Sequence, residues 1–337
     1  MKAAPVMRAL EGHGAAQTLV HTGQHYDAQM SDSFFANLEI PRPDVNLKVQ
    51  APGAVAQIAE IMTRFEPVLL ERRPDLVLVY GDVNSTMAAA LVCSKLSVRL
   101  GHVEAGLRSF DRSMPEEINR LVTDQLADFL FTPSEDGDVN LRREGVPAEK
   151  IHRVGNVMID TLMQLLPTAE NLKGMPERYV LVTLHRPSNV DSGDRLREIV
   201  QALREIQKDV DVVFPVHPRT RQRLIDHAVE VGRLRLLGPL PYIEFLGLQR
   251  RAAMVITDSG GIQEETTFLK VPCLTLRTTT ERPVTVSVGS NVLVGEDLER
   301  LKVETARVLN GRAKQGGIPA LWDGHAAERI AEIVMKL

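Results

Sequence analysis

The sequence predicts an α/β protein made of two doubly wound domains, and three observations support this prediction. Short apolar runs alternate with longer amphipathic runs along the chain, a pattern typical of parallel strands joined by crossover helices. The length of 337 residues exceeds that of a typical single domain. Residues 156–177 interrupt the alternation with proline, glycine and polar side chains, which indicates a domain boundary.

The first predicted domain covers residues 1–157 and is joined by a C-terminal helix at 322–337, and the second covers 158–321. Ligands of doubly wound sheets bind beyond the carboxyl ends of the strands. We therefore expect an active-site cleft between the two domains, lined by the loops that follow their strands.

In the first domain, short apolar runs bounded by proline, glycine or charged residues predict strands at 17–21, 75–80, 98–103 and 129–132. Amphipathic runs predict helices at 1–10, 54–73 and 85–96, and Pro115 marks the start of another helix. Residues 41–52 are punctuated by proline and predict a connection. An α/β domain usually opens with a strand, so its first strand is expected to be missing here.

The second domain repeats this pattern. Its strands are expected at 179–184, 212–216, 234–237, 254–257, 273–276 and 292–294, with helices between them. A helix at 158–166 precedes the polar boundary stretch, and a terminal helix is expected at 325–335.

The composition is that of an ordinary globular protein, with 44% hydrophobic and 25% charged residues. A net charge of -4 argues against nucleic acid or an anionic membrane as the main partner. No apolar run approaches the ~20 residues of a membrane helix and no signal peptide opens the chain, so a cytoplasmic location is expected. Cys93 and Cys273 lie in separate apolar runs and predict buried thiols rather than a zinc site.

The stretch 81–120 carries four carboxylates at or just beyond the ends of apolar runs. They are Asp82, Glu104, Glu116 and Glu117. Carboxylates held in a cleft with shifted pKa values suit general acid/base catalysis at carbon. Asp82 is equally compatible with a cap on the following helix, and Glu117 with an exposed position in the first turn of a helix.

Glu104 follows an apolar run, and a carboxylate there is costly to bury without a partner. Three nearby residues are candidate partners, namely His102, Arg108 and Arg120.

A glycine-containing loop follows the strand predicted at 254–257. Gly260 and Gly261 would let backbone amides reach a ligand, and the N-terminus of the next helix favours an anion. Ser259 can add a hydroxyl donor, and Glu265 can accept hydrogen bonds from sugar hydroxyls. A tight turn capped by Asp258 or Ser259 is the alternative interpretation.

Two histidines directly follow apolar strands of the second domain, and each has an arginine nearby. His185 and His217 therefore occupy equivalent strand ends, where cationic groups can neutralise a leaving pyrophosphate. The charged loop at 280–283 is a further candidate, although by itself it is compatible with a surface turn.

Eight motifs occur in a characteristic order, namely GDVNST, HVEAGLRS, MPEEINR, VGNVMIDT, HRPSN, VHP, DSGGIQEE and TERPVTV. In these motifs the chain resembles the non-hydrolysing UDP-N-acetylglucosamine 2-epimerases, which implies a GT-B fold. The segments TGQHYD and FDRSMPEEINR are similar to a subgroup found in archaea and many bacteria. That subgroup includes 2-epimerases of modified UDP-sugars such as diacetamido-uronic acids.

The resemblance implies epimerisation at C2 by elimination of UDP to a 2-acetamidoglucal and re-addition, with no metal or nicotinamide cofactor. The residues that match the family's catalytic groups are Asp82, Glu104, Glu116 and His217. Those that match its substrate and UDP-binding positions are Lys2, Arg120, His185, Phe245, Ser259, Gly260, Gly261, Glu265 and Arg282.

One departure from the family concerns the N-terminal part. The family places a strand and the loop GTRPE before the helix whose lysine matches Lys2, and neither is present here. We expect the chain to be truncated at its N-terminus and its activity or stability to be impaired. The resemblance also implies a homodimer and a second UDP-sugar as allosteric activator, with Gln24 and His25 in the loop concerned.

The leading hypothesis is interconversion of UDP-N-acetylglucosamine and UDP-N-acetylmannosamine in the cytoplasm, feeding cell-envelope polysaccharide biosynthesis. Epimerisation of a modified UDP-sugar and a UDP-sugar glycosyltransferase of the same fold are the alternatives. A hydrolysing 2-epimerase and a non-enzymatic UDP-sugar-binding remnant are further alternatives. Neither nucleic acid nor a membrane is expected as a partner.

Overall fold

The computed structural model describes residues 1–23, 41–169 and 172–337. The chain divides into two compact units. Unit 1 comprises Met1–Thr161 and Ala320–Leu337, and unit 2 comprises Leu162–Pro319. Both units are α/β with parallel sheets, which confirms the predicted fold class.

The strands described in unit 1 are β1 (Val20–His21), β2 (Val45–Asn46), β3 (Val77–Tyr80), β4 (Leu100–Val103), β5 (Phe129–Thr132) and β6 (Ile151–Arg153). Strands β3 to β6 form a parallel sheet in that order, and β1 pairs separately with β2. Strand β2 lies where only a connection was predicted, because two residues among prolines and polar side chains carry no periodic signal.

The helices of this half of the chain are α1 (Ala3–Gly12), α2 (Ala54–Arg72), α3 (Asn84–Leu96), α4 (Pro115–Leu126), α5 (Glu135–Arg143) and α6 (Val157–Leu165). The last helix of the chain, α14 (Ala326–Val334), also belongs to unit 1. Its buried face shares a cluster with Val6 and Leu10 of α1 and Val103 of β4. The apolar faces of two helices far apart in sequence are thereby removed from water.

Unit 2 contains one parallel sheet with the order β12-β11-β10-β7-β8-β9. Its strands are β7 (Tyr179–Thr183), β8 (Asp211–Pro215), β9 (Arg235–Leu237), β10 (Met254–Thr257), β11 (Cys273–Thr275) and β12 (Asn291–Leu293). The helices are α7 (Pro187–Val190), α8 (Gly193–Ile206), α9 (Pro218–Asp226), α10 (Tyr242–Arg251), α11 (Gly260–Leu269), α12 (Val284–Ser287) and α13 (Leu298–Leu309). The order changes direction between β7 and β10, where a doubly wound sheet binds its ligands.

Cys93 and Cys273 are buried free thiols, as predicted, and burial raises the pKa of Cys93 to about 12 and that of Cys273 to about 11. Within the described ranges, no helix combines the length and apolarity needed to cross a membrane. Gln24 and His25 lie outside the described residues.

Candidate active site

The charged residues of unit 1 gather beyond the carboxyl ends of β3 and β4. Gly81 continues the ladder between these strands, since its N–H donates to the carbonyl of Val103 at 3.1 Å. The next residue, Asp82, forms an ion pair with the buried Arg120 of α4. Helix α3 has Val83 at its N-cap and no side-chain cap, so the alternative interpretation of Asp82 as a helix cap is wrong.

Glu104 follows β4 with its side chain buried and its backbone in the left-handed region, at φ +76°. This conformation is uncommon for a non-glycine residue, so contacts in the turn have to hold it. Two backbone hydrogen bonds to the carbonyl of Phe131 hold the turn, from Glu104 at 3.0 Å and from Ala105 at 3.1 Å.

The cation that the structure places against Glu104 is Lys2, whose Nζ forms an ion pair with Oε2 of Glu104. Lys2 also lies over Gly81, because a Cβ built at that glycine would be 2.9 Å from Nζ. Two of the predicted partners, His102 and Arg108, instead contact Asp124 at 2.6 and 2.7 Å. A carboxylate from β4 and a lysine from α1 therefore meet beside the loop that carries Asp82.

Glu117 is buried, with 2% of its surface exposed, so the interpretation as an exposed helix residue is wrong. Its carboxylate accepts hydrogen bonds from the backbone N–H groups of Ser109 and Phe110, each at 2.9 Å, and from Arg120 at 2.6 Å. Burial raises the pKa of Glu117, but these donors outweigh it and the net shift is downward. Glu117 thus holds Arg120, the partner of Asp82, in place.

Glu116 is exposed in the first turn of α4. Consecutive helical residues point about 100° apart, so Glu116 and Glu117 cannot both face the packed side of the helix. The structure brings Asp82, Arg120 and Glu117 into one network, and Lys2 and Glu104 into a pair beside it. Glu116 does not join that network.

A buried group that the sequence interpretation missed lies on the same helix. Asp124 contacts both His102 and Arg108, and Arg108 also binds Glu144 at 2.7 Å. Glu117, Arg120 and Asp124 are spaced by three and four residues, which places three polar side chains on one helix face. Polar residues with this spacing in an amphipathic helix were the available signal for a buried polar network.

In unit 2, the fully buried carboxylate of Asp258 joins the end of β10 to the loop after β7. It accepts hydrogen bonds from the backbone of His185 at 3.1 Å, the backbone of Arg186 at 3.0 Å and the Asn189 amide at 3.1 Å. Burial raises the pKa of Asp258, but His185, the Arg186 N–H and Asn189 together bring it below its ordinary value. Asp258 is therefore a cross-link between loops and not the helix cap of the alternative interpretation.

His185 and His217 lie at the ends of neighbouring strands, with their ring centroids 6.4 Å apart. Nδ1 of His185 lies 3.1 Å from Asp258, and 44% of the His185 side chain is exposed. Nδ1 of His217 accepts the N–H of Arg219 at 3.2 Å, at the first turn of α9. Partial burial, followed by the charges of His185 and Arg219, lowers the pKa of His217. The structure thus brings the two predicted histidines together.

The N-terminus of α11 lies against the charged loop at 280–283. A Cβ built at Gly260 would be 2.5 Å from Nη1 of Arg282 and 2.8 Å from Oε1 of Glu281, whereas at Gly261 it would meet nothing within 4 Å. Arg282 is buried against Glu281 at 2.5 Å and Glu264 at 2.9 Å, so the interpretation of this loop as a surface turn is wrong. Ser259 is the N-cap residue, and its side chain makes no capping bond.

Glu265 lies one turn further along α11, buried beside Tyr242, whose hydroxyl donates to Oε1 at 2.8 Å. Oε2 is buried and has no hydrogen-bond partner among the described residues. Burial raises the pKa of Glu265 to about 7, and Tyr242 and the neighbouring Gln249 offset only part of that increase. Phe245 lies one turn after Tyr242 and is half-buried. It packs against a buried apolar cluster that includes Leu248 and Val255.

Comparisons with known proteins agree on one family. A family model described as UDP-N-acetylglucosamine 2-epimerase matches residues 8–335. The UDP-N-acetylglucosamine 2-epimerase of Methanocaldococcus jannaschii is 41% identical over 350 residues, which cover 99% of this chain and 95% of that protein. The UDP-2,3-diacetamido-2,3-dideoxy-D-glucuronate 2-epimerase of Pseudomonas aeruginosa is 43% identical over 343 residues, covering 100% and 96%.

Solved structures agree with these sequences. The crystal structure of the M. jannaschii enzyme in complex with UDP-GlcNAc and UDP superimposes with a TM-score of 0.92, covering 100% of this chain and 96% of that one. A lipopolysaccharide outer core galactosyltransferase shares the fold at a TM-score of 0.53 and 12% identity, over 95% of this chain and 99% of that one. The GT-B fold is therefore confirmed, and the chain belongs to the UDP-N-acetylglucosamine 2-epimerase family of isomerases.

Proposed function

We propose that this chain interconverts UDP-N-acetylglucosamine and UDP-N-acetylmannosamine by eliminating UDP to 2-acetamidoglucal and adding it back. The observation that carries the proposal is the pair of carboxylates at neighbouring strand ends of unit 1, Asp82 and Glu104. Each is paired with a cation from another part of the chain, Arg120 and Lys2. A nearby opposite charge favours an ionised carboxylate, the form required to take a proton from carbon.

In this proposal, unit 1 acts on the sugar carbon. One carboxylate removes the C2 proton as the C1–O bond to UDP breaks, and a second group on the opposite face of the ring returns a proton to C2. Glu116, which is exposed, is the third candidate for this work. Its neighbour Glu117 is assigned a structural role, since its oxygens are occupied by Ser109, Phe110 and Arg120.

Unit 2 is proposed to bind UDP and to stabilise it as the leaving group. The backbone at Gly260 and Gly261 opens α11, so its N–H groups and the helix dipole favour a diphosphate. His185 and His217 supply N–H donors, and Arg282 supplies positive charge, for the oxygens of departing UDP. Glu265 is assigned to the ribose hydroxyls, for which its Oε2 atom is a free acceptor among the described residues. Phe245 is assigned to the uracil.

A diacetamido-uronic UDP-sugar is the second candidate substrate, because the P. aeruginosa relative named for it is 43% identical. Both candidates react at the same carbon, so competition between the two UDP-sugars at equal concentration separates them. A higher kcat/KM for the diacetamido-uronic UDP-sugar would make it the assigned substrate in place of UDP-N-acetylglucosamine.

The decisive experiment incubates the chain with UDP-N-acetylglucosamine in heavy water. Deuterium at C2 together with UDP-N-acetylmannosamine supports the proposal. Free N-acetylmannosamine with UDP would indicate hydrolysis, transfer of the sugar to an added acceptor would indicate a glycosyltransferase, and binding without exchange would indicate an inactive remnant.

We further propose a cytoplasmic homodimer whose product supplies cell-envelope polysaccharides, with a second UDP-sugar as activator. Sedimentation tests the dimer. Sigmoidal dependence of the rate on UDP-sugar concentration would support activation, and hyperbolic kinetics in both directions would contradict it.

A further inference from the structure

His102 lies on β4 inside unit 1 and is completely buried. Its Nδ1 is 2.6 Å from Oδ1 of Asp124, and its Nε2 is 2.9 Å from the carbonyl oxygen of Gly81. A carbonyl oxygen only accepts, and an ionised carboxylate only accepts. Both ring nitrogens must therefore donate, which assigns His102 as an imidazolium.

The charges around this ring balance. Asp124 also contacts Arg108 at 2.7 Å, and Arg108 in turn binds Glu144 through Nε at 2.8 Å. Burial raises the pKa of Asp124, but His102 and Arg108 outweigh it and keep the pKa below its ordinary value. Two cations and two carboxylates thus alternate, so the imidazolium is paired rather than isolated.

His102 and Asp124 each hold the backbone beside one of the two proposed reacting carboxylates. The backbone group that His102 holds is the Gly81 carbonyl, directly before Asp82. The other is the N–H of Gly106, which donates to Oδ2 of Asp124 at 3.1 Å, two residues after Glu104. Gly81 is the last residue held by the ladder between β3 and β4, and its carbonyl turns toward the imidazolium.

Both loops need such a constraint because their backbones are in the left-handed region. The φ angle is +69° at Gly81, +76° at Glu104 and +80° at Gly106. A misplacement of about 1 Å in a reacting group can cost ~100-fold in rate. We propose that His102 is a positioning residue, which as a buried imidazolium sets the spacing between the Asp82 and Glu104 loops. This inference rests on the proposed function of these two carboxylates.

Two substitutions each keep one of the two hydrogen bonds that His102 makes. In His102→Gln the amide nitrogen takes the place of Nε2 and can still donate to Gly81. In His102→Asn it takes the place of Nδ1 and can still donate to Asp124. The control is His13→Gln, an exposed histidine of unit 1 that directly follows α1.

The assay is deuterium exchange at C2 of UDP-N-acetylglucosamine by the full chain, with kcat and KM separated and the folded fraction measured by circular dichroism. We expect His102→Asn to lower kcat by ~100-fold with KM within ~3-fold, and His102→Gln to retain at least ~10 times more activity. His13→Gln should match the wild type. Equal kcat in the two His102 variants, or losses that follow the folded fraction alone, would overturn the proposal.

A second measurement does not depend on either variant being active. In protein labelled with ¹⁵N-histidine, NMR should show two slowly exchanging ring N–H groups for His102, assigned by their loss in His102→Gln. A single N–H on this ring would overturn the imidazolium assignment. Wild-type exchange in both Asp82→Asn and Glu104→Gln would instead contradict the proposed function, while the NMR result would still test the charge of His102.

Discussion

Units 1 and 2 both place charged side chains beyond the ends of parallel strands, but they pair them differently. In unit 1, Asp82 forms an ion pair with Arg120 and Glu104 forms one with Lys2. In unit 2, Asp258 is fully buried and accepts several hydrogen bonds of 3.0–3.1 Å from backbone and side chains. Glu265 is buried beside a tyrosine and has no cationic partner among the described residues.

This difference fits the different chemical tasks proposed for the two units. A carboxylate that exchanges protons with substrate changes its charge during the reaction, and a cation paired with it from another element can balance that charge. A loop that binds a diphosphate has to be preorganised, and multiple hydrogen bonds to one buried carboxylate provide rigidity. The two units therefore predict separable effects of substitution.

The largest expected effect is the loss of proton exchange at C2 of the UDP-sugar when a carboxylate of unit 1 is replaced. Glu104→Gln and Asp82→Asn should each lower the exchange rate by ~10²–10⁴-fold, because the neutral amide cannot act as base or acid. UDP affinity, measured by calorimetry, should stay within ~3-fold of the wild type. Glu149→Gln, an exposed carboxylate of the same unit, is the matched control. Loss of UDP affinity with exchange intact would reverse the assigned division of tasks.

The next effect concerns Glu265, whose pKa is raised from 4.5 to about 7 in the folded protein. The folded state then binds more protons than the unfolded state between these pH values, so stability falls as pH rises from about 4.5 to 7 and levels off above. Glu265→Gln should remove this slope and raise the free energy of unfolding at pH 8 by up to about 3 kcal/mol. Urea titrations at pH 5 and pH 8 measure the free energy of unfolding of the wild type and of Glu265→Gln. An equal change in that free energy between the two pH values in both proteins would refute the prediction.

A smaller loss is expected when the cross-link of unit 2 is weakened. Asp258→Asn keeps the shape but replaces one acceptor oxygen with a donor, which should destabilise the chain by about 2 kcal/mol at pH 7. The pKa of Asp258 is lowered below 3.8 by folding, so its contribution is present above that pH and is lost as pH falls through the folded value. Thermal unfolding should therefore show the difference from wild type shrinking in acid. The exposed Asp209→Asn should have no effect.

The smallest effect distinguishes the two adjacent glycines of α11. Gly260→Ala should destabilise the chain by about 1–2 kcal/mol, because its Cβ would overlap Arg282 and Glu281. Gly261→Ala has open space and should be neutral or slightly stabilising. Weaker UDP binding by Gly261→Ala without destabilisation would sharpen the assignment, since it would mean that the diphosphate approaches this backbone. Equal thermal stability of both variants would contradict the packing argument.

Much of the fold could be predicted because hydrophobic periodicity is a local property. The strands at 75–80, 254–257 and 273–276 follow from short apolar runs, and the structure has β3, β10 and β11 there. The two-residue strand β2 could not be predicted, because its pairing with β1 is made across a distant part of the chain. Strand β4 begins two residues later than predicted, since apolar character does not report where a ladder starts.

The candidate site divides in the same way. The positions of Asp82, His185 and Gly260 at the ends of strands follow from the sequence. The resemblance of the motifs to those of the UDP-N-acetylglucosamine 2-epimerase family is also visible in the sequence. The burial of Glu117 beside the exposed Glu116 does not, because adjacent helical carboxylates differ only in which one faces the rest of the unit. The sequence also did not indicate Asp124, which acquires its role from partners on β4 and the loop after it.

By itself, then, the sequence determined the alternation of strands and helices, and hence which side chains lie at the carboxyl ends of the strands. Only the tertiary structure decided which cation meets each carboxylate, as with Lys2 and Glu104, which are separated by 102 positions along the chain. The reason is that secondary structure depends on neighbouring residues, whereas ion pairs, burial and pKa shifts depend on groups brought together from distant parts of the chain.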